Sequence, residues 1–459
     1  MPQQETHNQT RRRILPLPSL TLLCAAAAAL LPGRGAPPAA ALTLGEGLAI
    51  VEGSGRDAAL SLAREQVLAS APVLAGAPRR PSIDAYARET LLVLQPGVVA
   101  GMQTLDTAEQ DSFSYGVRAR QLLSDFGRTD AAVRAAGADL EAQRLETALA
   151  RNRAALRFIL SYLRLLRAER QLALQTEEVK RFEAHRANAR ALLEAGTATE
   201  NEVLQAEVHL ADAVQRRLQA ANVRALAAAQ VNSLLLRPLD EPLAPEEVSP
   251  PAASAPGLAD ALAAAEQGRV ELQAIGAQSR ATEARRDALR SDYYPQLYVA
   301  GGYDFSQNRY QVHEGNWSLL AGMEVNLFSG RITGEKIRQK ESELRALARA
   351  REQLLDAVRL EVQEALLSLE TARARVGAAG TAVDQAQENL RLAQLSYAEG
   401  VGTSTDVLDA VSLLSTAEQN ALNARHDVVD AQARLDFALG RDLVAAWGQA
   451  RTTGGKGRP

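Results

Sequence analysis

A turn that occurs twice constrains this chain more than any other feature. Residues 196–206 read GTATENEVLQA and residues 400–410 read GVGTSTDVLDA. Gly196 thus answers Gly400, Thr199 answers Thr403, Val203 and Leu204 answer Val407 and Leu408, and Ala206 answers Ala410, all 204 residues apart. Glycine suits the left-handed position that closes a helix, and a threonine there caps the next one. An acid in the following first turn, Glu202 or Asp406, complements the helix dipole. Each copy predicts the tip of a helical hairpin. Gly127–Arg128 and Gly330–Arg331 repeat at nearly the same distance, each opening a long helical run, and Pro96 and Pro295 each precede a strand-like segment. A unit of about 200 residues is far longer than the ~20–50 residues of a solenoid repeat. The chain is therefore read as a tandem duplication of one large block.

The run from Arg128 to about Leu193 has no proline, and its apolar residues recur at heptad-like steps: Leu149, Leu156 and Leu163 on one track, Leu145, Ile159 and Leu166 on another. About 65 residues at ~1.5 Å each make a rod of roughly 100 Å. A return helix is expected to about Leu236, followed by an irregular connector rich in proline (Pro238, Pro242, Pro245, Pro250, Pro251, Pro256). Composition agrees with long helices: 46% of residues are hydrophobic, mostly alanine and leucine, against 4% aromatic and 23% charged. A net charge of -4 with arginines spread along the helices leaves no basic patch, so no nucleic-acid partner is expected. No segment after the leader approaches the ~18 apolar residues of a spanning helix, so a membrane contact would have to be made as a barrel.

The leader itself is legible. Arg11, Arg12 and Arg13 precede an apolar run from Ile14 to Leu31, and small residues end at Ala39, Ala40 and Ala41. This reads as a secretory signal peptide over 1–41, in preference to an N-terminal membrane anchor, with cleavage expected after Ala41. Cys24 is the only cysteine, and Leu22 and Leu23 stand where lipidation would need small residues. The exported chain would carry no disulfide.

Residues 43–94 read as mostly helical, broken or displaced at Pro72, Pro78 and Pro81, where the second half has an unbroken helix over 258–290. Strand-like alternation follows at roughly 97–105 and 112–122, with Phe113, Tyr115 and Val117 on one face. In the second half Leu297, Val299, Tyr303 and Phe305 share a face, and across a polar turn so do Trp317, Leu319, Met323, Val325 and Leu327. Ser318, Gly322, Glu324 and Asn326 oppose them. Glu324 between two apolar residues fits a wall with lipid outside and water inside, and Trp317 and Tyr310 suit the membrane interface. Four strands per chain cannot close a barrel, and open edges are not tolerated in lipid. The chain must oligomerise, as a dimer, trimer or tetramer.

No catalytic constellation, cofactor site or metal site is expected. His185, His209, His313 and His426 lack ligand spacing and read as solvated, and no phosphate-cradling glycine loop occurs.

Together, YYPQL and NLFSGR around the second strand pair, LLSDFGRTDAA after the first, and AGTATENEVLQAE and AEGVGTSTDVLDA at the tips resemble the TolC-type outer-membrane efflux proteins over nearly the whole exported chain. The resemblance implies a mainly α fold with a membrane β-barrel contribution: long coiled-coil hairpins and four strands per chain, joined as a homotrimer. A twelve-stranded barrel would sit in outer-membrane lipid and a helical barrel would extend into the periplasm. The expected units are a first repeat over 42–237, an equatorial connector over 238–257, a second repeat over 258–440 and a flexible tail over 441–459. The implied function is a duct for efflux or type I secretion, working with a periplasmic adaptor and an inner-membrane pump of RND, ABC or MFS type. The resemblance further implies that Asp406 and Asp409 ring the periplasmic entrance as a gate. Tyr397 would latch the tips by engaging Glu202, and Gly196, Thr197, Thr199, Gly400, Gly402 and Thr403 would form the tips offered to the adaptor. The family's latch arginine falls at Gly402, so that ionic link is missing. From the residues alone, Asp406 is an ordinary helix-start acid. The alternative from another class is a periplasmic coiled-coil adaptor or scaffold, which would lack both the duplication and the lipid-facing alternation.

Overall fold

The computed structural model describes residues 40–248 and 256–448. The expected leader therefore lies outside the described residues except for Ala40 and Ala41. In chain order the elements are β1 (Ala40–Leu42), α1 (Leu44–Ser54), α2 (Arg56–Ala69), α3 (Ala71–Gly76), β2 (Ser82–Leu91), β3 (Gly97–Ala100), β4 (Gln103–Asp106), β5 (Asp111–Ser124), α4 (Arg128–Glu194) and α5 (Glu200–Leu234). Then follow β6 (Leu243–Pro245), α6 (Leu258–Gly268), α7 (Val270–Arg290), β7 (Gln296–Ser306), β8 (Gly315–Glu324), α8 (Ile332–Ala398), α9 (Ser404–Ala438) and α10 (Leu443–Trp447).

The duplication holds residue for residue. α4 and α8 are both 67 residues long and α5 and α9 both 35. At ~1.5 Å per residue the longer pair are rods of roughly 100 Å. Positive φ recurs at matched positions whatever the residue: Phe126 with Gly330, Gly127 with Arg331, Gly196 with Gly400, and Leu236 with Gly440. The glycine–arginine pairs that open α4 and α8 in the sequence are thus offset by one; Gly127 is matched by Arg331, and the backbone bends in the same way at both. Asp125 Oδ2 accepts the Thr129 N–H at 2.7 Å, satisfying an orphan donor of α4's first turn.

Upstream of the barrel turns the offset is 214 instead. Gly55 and Arg269 both leave the helical region, with ψ of 128° and 112°, so the helix expected to run unbroken over 258–290 is divided at Arg269 just as its counterpart is divided at Gly55. Pro81 precedes β2 as Pro295 precedes β7. The prolines that read as a broken helix therefore mark the start of a strand, and Pro72 does no more than separate α2 from α3. The ten extra residues sit between β2 and β5, where β3 and β4 form a separate small hairpin. The strand that pairs with β5 is accordingly 82–91, not the expected 97–105.

The large sheet has the order β2-β5-β7-β8, antiparallel throughout. Beyond it α4 packs along α7 and, further down, along α5 and α9, while α9 packs on α8. Below the equator the helices therefore lie in the order α5, α4, α9, α8. The equator is closed by β1 pairing parallel with β6, which places Ala40 and Ala41, expected to leave with the leader, in the folded sheet instead. The Tyr162 hydroxyl lies 2.7 Å from Leu42 O and accepts the Glu246 N–H at 2.8 Å. The tail expected to be flexible from 441 is instead packed as far as α10: Trp447 is fully buried among Leu44, Leu48 and Phe158, and its Nε1–H donates to Asp436 Oδ2 at 3.0 Å. Burying an indole this completely is a large apolar gain provided its N–H finds a partner, and Asp436 supplies one.

Candidate functional site

At the far end of the rods the two hairpin tips meet. Gly196 and Gly400 take φ of 76° and 74°, and the Thr197 and Val401 N–H groups reach back to Leu192 O and Ser396 O at 2.9 and 3.0 Å. Only a residue free of Cβ strain closes a helix this way cheaply. The following helices begin with paired capping boxes. Glu202 accepts from Thr199 N–H and Oγ1 at 3.2 and 3.1 Å, and Asp406 accepts from Thr403 N–H and Oγ1 at 2.9 and 2.7 Å.

From here the tips diverge. The Tyr397 hydroxyl, on a side chain that is nearly buried, donates to Glu202 Oε2 at 3.0 Å and so ties α8 to α5. His185 of α4, expected in solvent, is buried: its Nε2 lies 2.8 Å from Ser404 Oγ at the start of α9, and its ring centroid is 5.4 Å from that of Tyr397. Phe182, one turn earlier, is fully buried and stacks on His209 at 5.7 Å. Beneath them Val407, Leu408, Val411 and Leu414 close a core shared by both hairpins. His426 is also withdrawn from water, since burial and then the neighbouring Arg167 push its pKa down to about 4. His313 alone of the four is exposed as expected. His185 was legible in principle, because it falls three residues after Phe182 and four before Ala189, both buried on the same face of α4.

Charge follows from these contacts. Burial raises the Glu202 carboxyl, but the hydrogen bonds from Thr199 and Tyr397 and the nearby His185 outweigh it and leave its pKa lowered. Burial, helped by the Glu202 hydrogen bond, pushes Tyr397 up to about 12. Burial lowers His185 and Glu202 partly offsets the effect, so the imidazole is neutral at pH 7. Asp406 is exposed, and the Thr403 hydroxyl and N–H hold it below the usual carboxylate range. Asp409 is exposed beside it. At Gly402 a Cβ would stand 3.0 Å from the Ser396 Cβ and 3.2 Å from the Tyr397 N, so the turn that lacks the family's arginine is also closely packed. Among the described residues no acid or histidine cluster could hold a metal ion.

At the other end, register places Phe113, Tyr115 and Val117 on one face with Leu297, Val299, Tyr303, Phe305, Trp317, Leu319 and Met323. Tyr115 stacks on Phe305 at 4.8 Å and Tyr303 meets Trp317 at 5.3 Å. Val325 and Leu327, expected in the same strand, lie past its end at Glu324 and do not belong to the face. The opposite face carries Tyr86, Arg118 and Asp304, with the Arg118 Nη2 3.0 Å from Asp304 Oδ1. Among the described residues no helix is long and apolar enough to cross a membrane.

A sheet with one apolar face and one charged face, carried on paired rods that end in shared tips, is the make-up of a channel-forming protein of the outer membrane. A model of the outer membrane efflux protein family matches residues 50–235 and 261–441, and the chain belongs to that family. It is 26% identical over 334 residues to the outer membrane efflux protein BepC of Brucella suis biovar 1 (strain 1330), spanning 71% of this chain and 72% of that one. Among solved structures it shares its fold with CusC (TM-score 0.76, 19% identity, 87% of this chain and 92% of that one). It shares it also with the outer membrane protein VceC of Vibrio cholerae (TM-score 0.75, 17% identity, 87% and 96%). The protein is an outer-membrane efflux channel component with its helices in the periplasm, and the adaptor alternative falls.

Proposed function

We propose that three copies of the chain close one duct, a twelve-stranded barrel in outer-membrane lipid continued by a periplasmic helical barrel, which receives its cargo from an inner-membrane pump of RND, ABC or MFS type through a periplasmic adaptor. The observation that carries this reading is the set of open edges. β2 and β8 each have a neighbour on one side only, and in hydrocarbon every unpaired backbone group costs several kcal/mol. The outer helices match. Leu204, Val208 and Leu218 of α5 stand exposed at heptad positions, as do Leu360, Leu367 and Leu395 of α8. Setting α8 of one copy against α5 of the next covers both stripes and pairs β8 with the next β2.

In that assembly Asp406 and Asp409 form a ring of carboxylates at the entrance that attracts cations. The Tyr397–Glu202 hydrogen bond is the latch that holds the tips together, and the turns at Gly196, Thr197, Thr199, Gly400, Gly402 and Thr403 are the surface the adaptor meets. The detergent-extracted protein is expected to have the mass of a trimer. A stable monomer with its strands intact would overturn the reading.

A further inference from the structure

α9 separates two clefts. On one side Leu422, Arg425 and Val429 face Leu163 and Arg170 of α4, beneath Glu247 and Val248 of the connector. On the other, Asp427, Asp430 and Arg434 face Ser368, Thr371 and Arg375 of α8 across a cleft of about 460 Å³. In a coiled-coil helix of about 3.5 residues per turn these two sets stand on nearly opposite faces. The connector leaves α5 and crosses α4 to bring β6 to β1. In a closed duct the side it crosses is the outside, and the cleft beside α8 opens to the bore. Three heptads lead from Asp406 to Asp427 and from Asp409 to Asp430, so the entrance acids share that surface.

The charge here is the reverse of that at the tips. Arg167 Nη2 holds both acids, 2.9 Å from Asp427 Oδ1 and 3.0 Å from Asp430 Oδ2. Arg434 and Arg164 act on Asp430 through space, and Arg375 has no hydrogen bond or ion pair among the described residues. Four arginines thus stand against two carboxylates, and burial raises the Asp430 carboxyl further from full charge. The next acid on this face of α8, Glu364, is two turns above Thr371. The first repeat has nothing comparable: Val223, Leu226 and Gln230 occupy the places of Asp427, Asp430 and Arg434, and Gln171 that of Arg375.

We infer that the bore carries a basic belt at its equatorial end, just below Tyr162, where Arg375 and Arg434 bind the anionic groups of passing organic anions. A guanidinium without a partner presents a fork of donors that fits carboxylate, sulfonate or phosphate, and the Ser368 and Thr371 hydroxyls beside it add two more. Like charges gathered in a cleft with low-dielectric walls focus the field, so the belt concentrates anions as the entrance ring concentrates cations.

The inference rests on the duct reading, and the test separates the two. Full-length protein is recorded in planar bilayers at about 0.1 M salt, where screening still leaves a reach of ~10 Å. Pyrenetetrasulfonate added on the barrel side is expected to block the current. Arg375→Gln with Arg434→Gln, the residues of the first repeat, should weaken that block at least about tenfold. Arg375→Lys with Arg434→Lys should keep most of it, and block by multivalent cations should be the same in both. Unaltered block in the glutamine variant overturns the belt and leaves the duct. In a Cys24→Ser background, a sulfonated methanethiosulfonate added on the barrel side should lower conductance through Asn423→Cys and spare Arg425→Cys. The reverse pattern puts the arginines outside the bore and overturns the belt. Membrane-inserted protein that passes no current overturns the duct itself, and the belt with it.

Discussion

The two hairpin tips have the same backbone and opposite uses of it. In both, a threonine caps a helix and an acid three residues on closes the box, yet Glu202 reaches across to the other hairpin while the shorter Asp406 stays in water, bonded to its own cap. The residues that meet Glu202 and its neighbours have no equivalents in the other repeat. Tyr397 stands where the first repeat has Leu193, His185 where the second has Asn389, Phe182 where the second has Ala386. Duplication thus supplies a scaffold, and substitution at these four positions turns one tip into a holder and leaves the other with an exposed carboxylate.

The comparison breaks most severely at Phe182. Replacing it by Ala should cost roughly 3–5 kcal/mol of tip stability, read from the denaturant midpoint. Ala386→Gly at the matching position should cost only about 0.5–1 kcal/mol. Next in size is Tyr397→Phe with Glu202→Gln, which removes one cross-hairpin hydrogen bond and should loosen the tip by about 1 kcal/mol. Resting conductance in planar bilayers should rise with ion preference unchanged; a closed channel in this variant would remove the latch.

A smaller, pH-dependent effect belongs to His185, which faces the Ser404 hydroxyl, the Tyr397 ring, Glu202 and His209. Its pKa in the packed tip is below the ordinary 6.5, so protonation favours the open tip. The stabilisation is intact above that value and is lost as pH falls below it toward the lowered one. Glu202 and Asp406, lowered from 4.5 and 3.8, stay ionised through this window. Resting conductance should therefore rise between about pH 7.5 and 5.5, and His185→Asn, the residue of the other repeat, should flatten the rise. Least in stability is Asp406→Asn with Asp409→Asn, within about 0.5 kcal/mol because Thr403 still caps the helix and an amide oxygen at position 406 can still accept its N–H. This pair should instead lower cation selectivity and block by multivalent cations, and unaltered selectivity would return both residues to the role of ordinary helix-start acids.

The long helices and their tips were legible because glycine, cap and acid recur at a fixed offset and each acts locally. β2 was not. Its sequence SIDAYARETL puts Ala85, Ala87 and also Glu89 on the face shared with Phe113 and sets Asp84 and Arg88 on the other, a composition that suits a helix as well as a strand, while the valines at 98 and 99 point to a strand further on. Pairing with β5 decides the matter, and pairing is not a local property. The shared apolar face of β7 and β8 read correctly because its aromatic and branched residues alternate cleanly, though not its end, since Val325 and Leu327 continue the alternation past the point where pairing with β7 stops at Gln296. Asp406 and Asp409 were singled out by the resemblance, since from the residues alone Asp406 is a helix-start acid; His185 was missed because its place on the face of Phe182 and Ala189 was not weighed against its polar neighbours in the sequence.

The buried Trp447 sets a timetable. Leu44 and Leu48, among the first residues of the described chain, pack with Leu443 and Trp447 from its last. During vectorial export the amino-terminal segment reaches the periplasm long before its partner does, and the equatorial core stays open to water until synthesis and translocation are complete. A chain stopped short of residue 443 would be left with that core unsealed, exposed to chaperones and proteases. Completion of the polypeptide as far as Trp447 is thereby what closes the equatorial core.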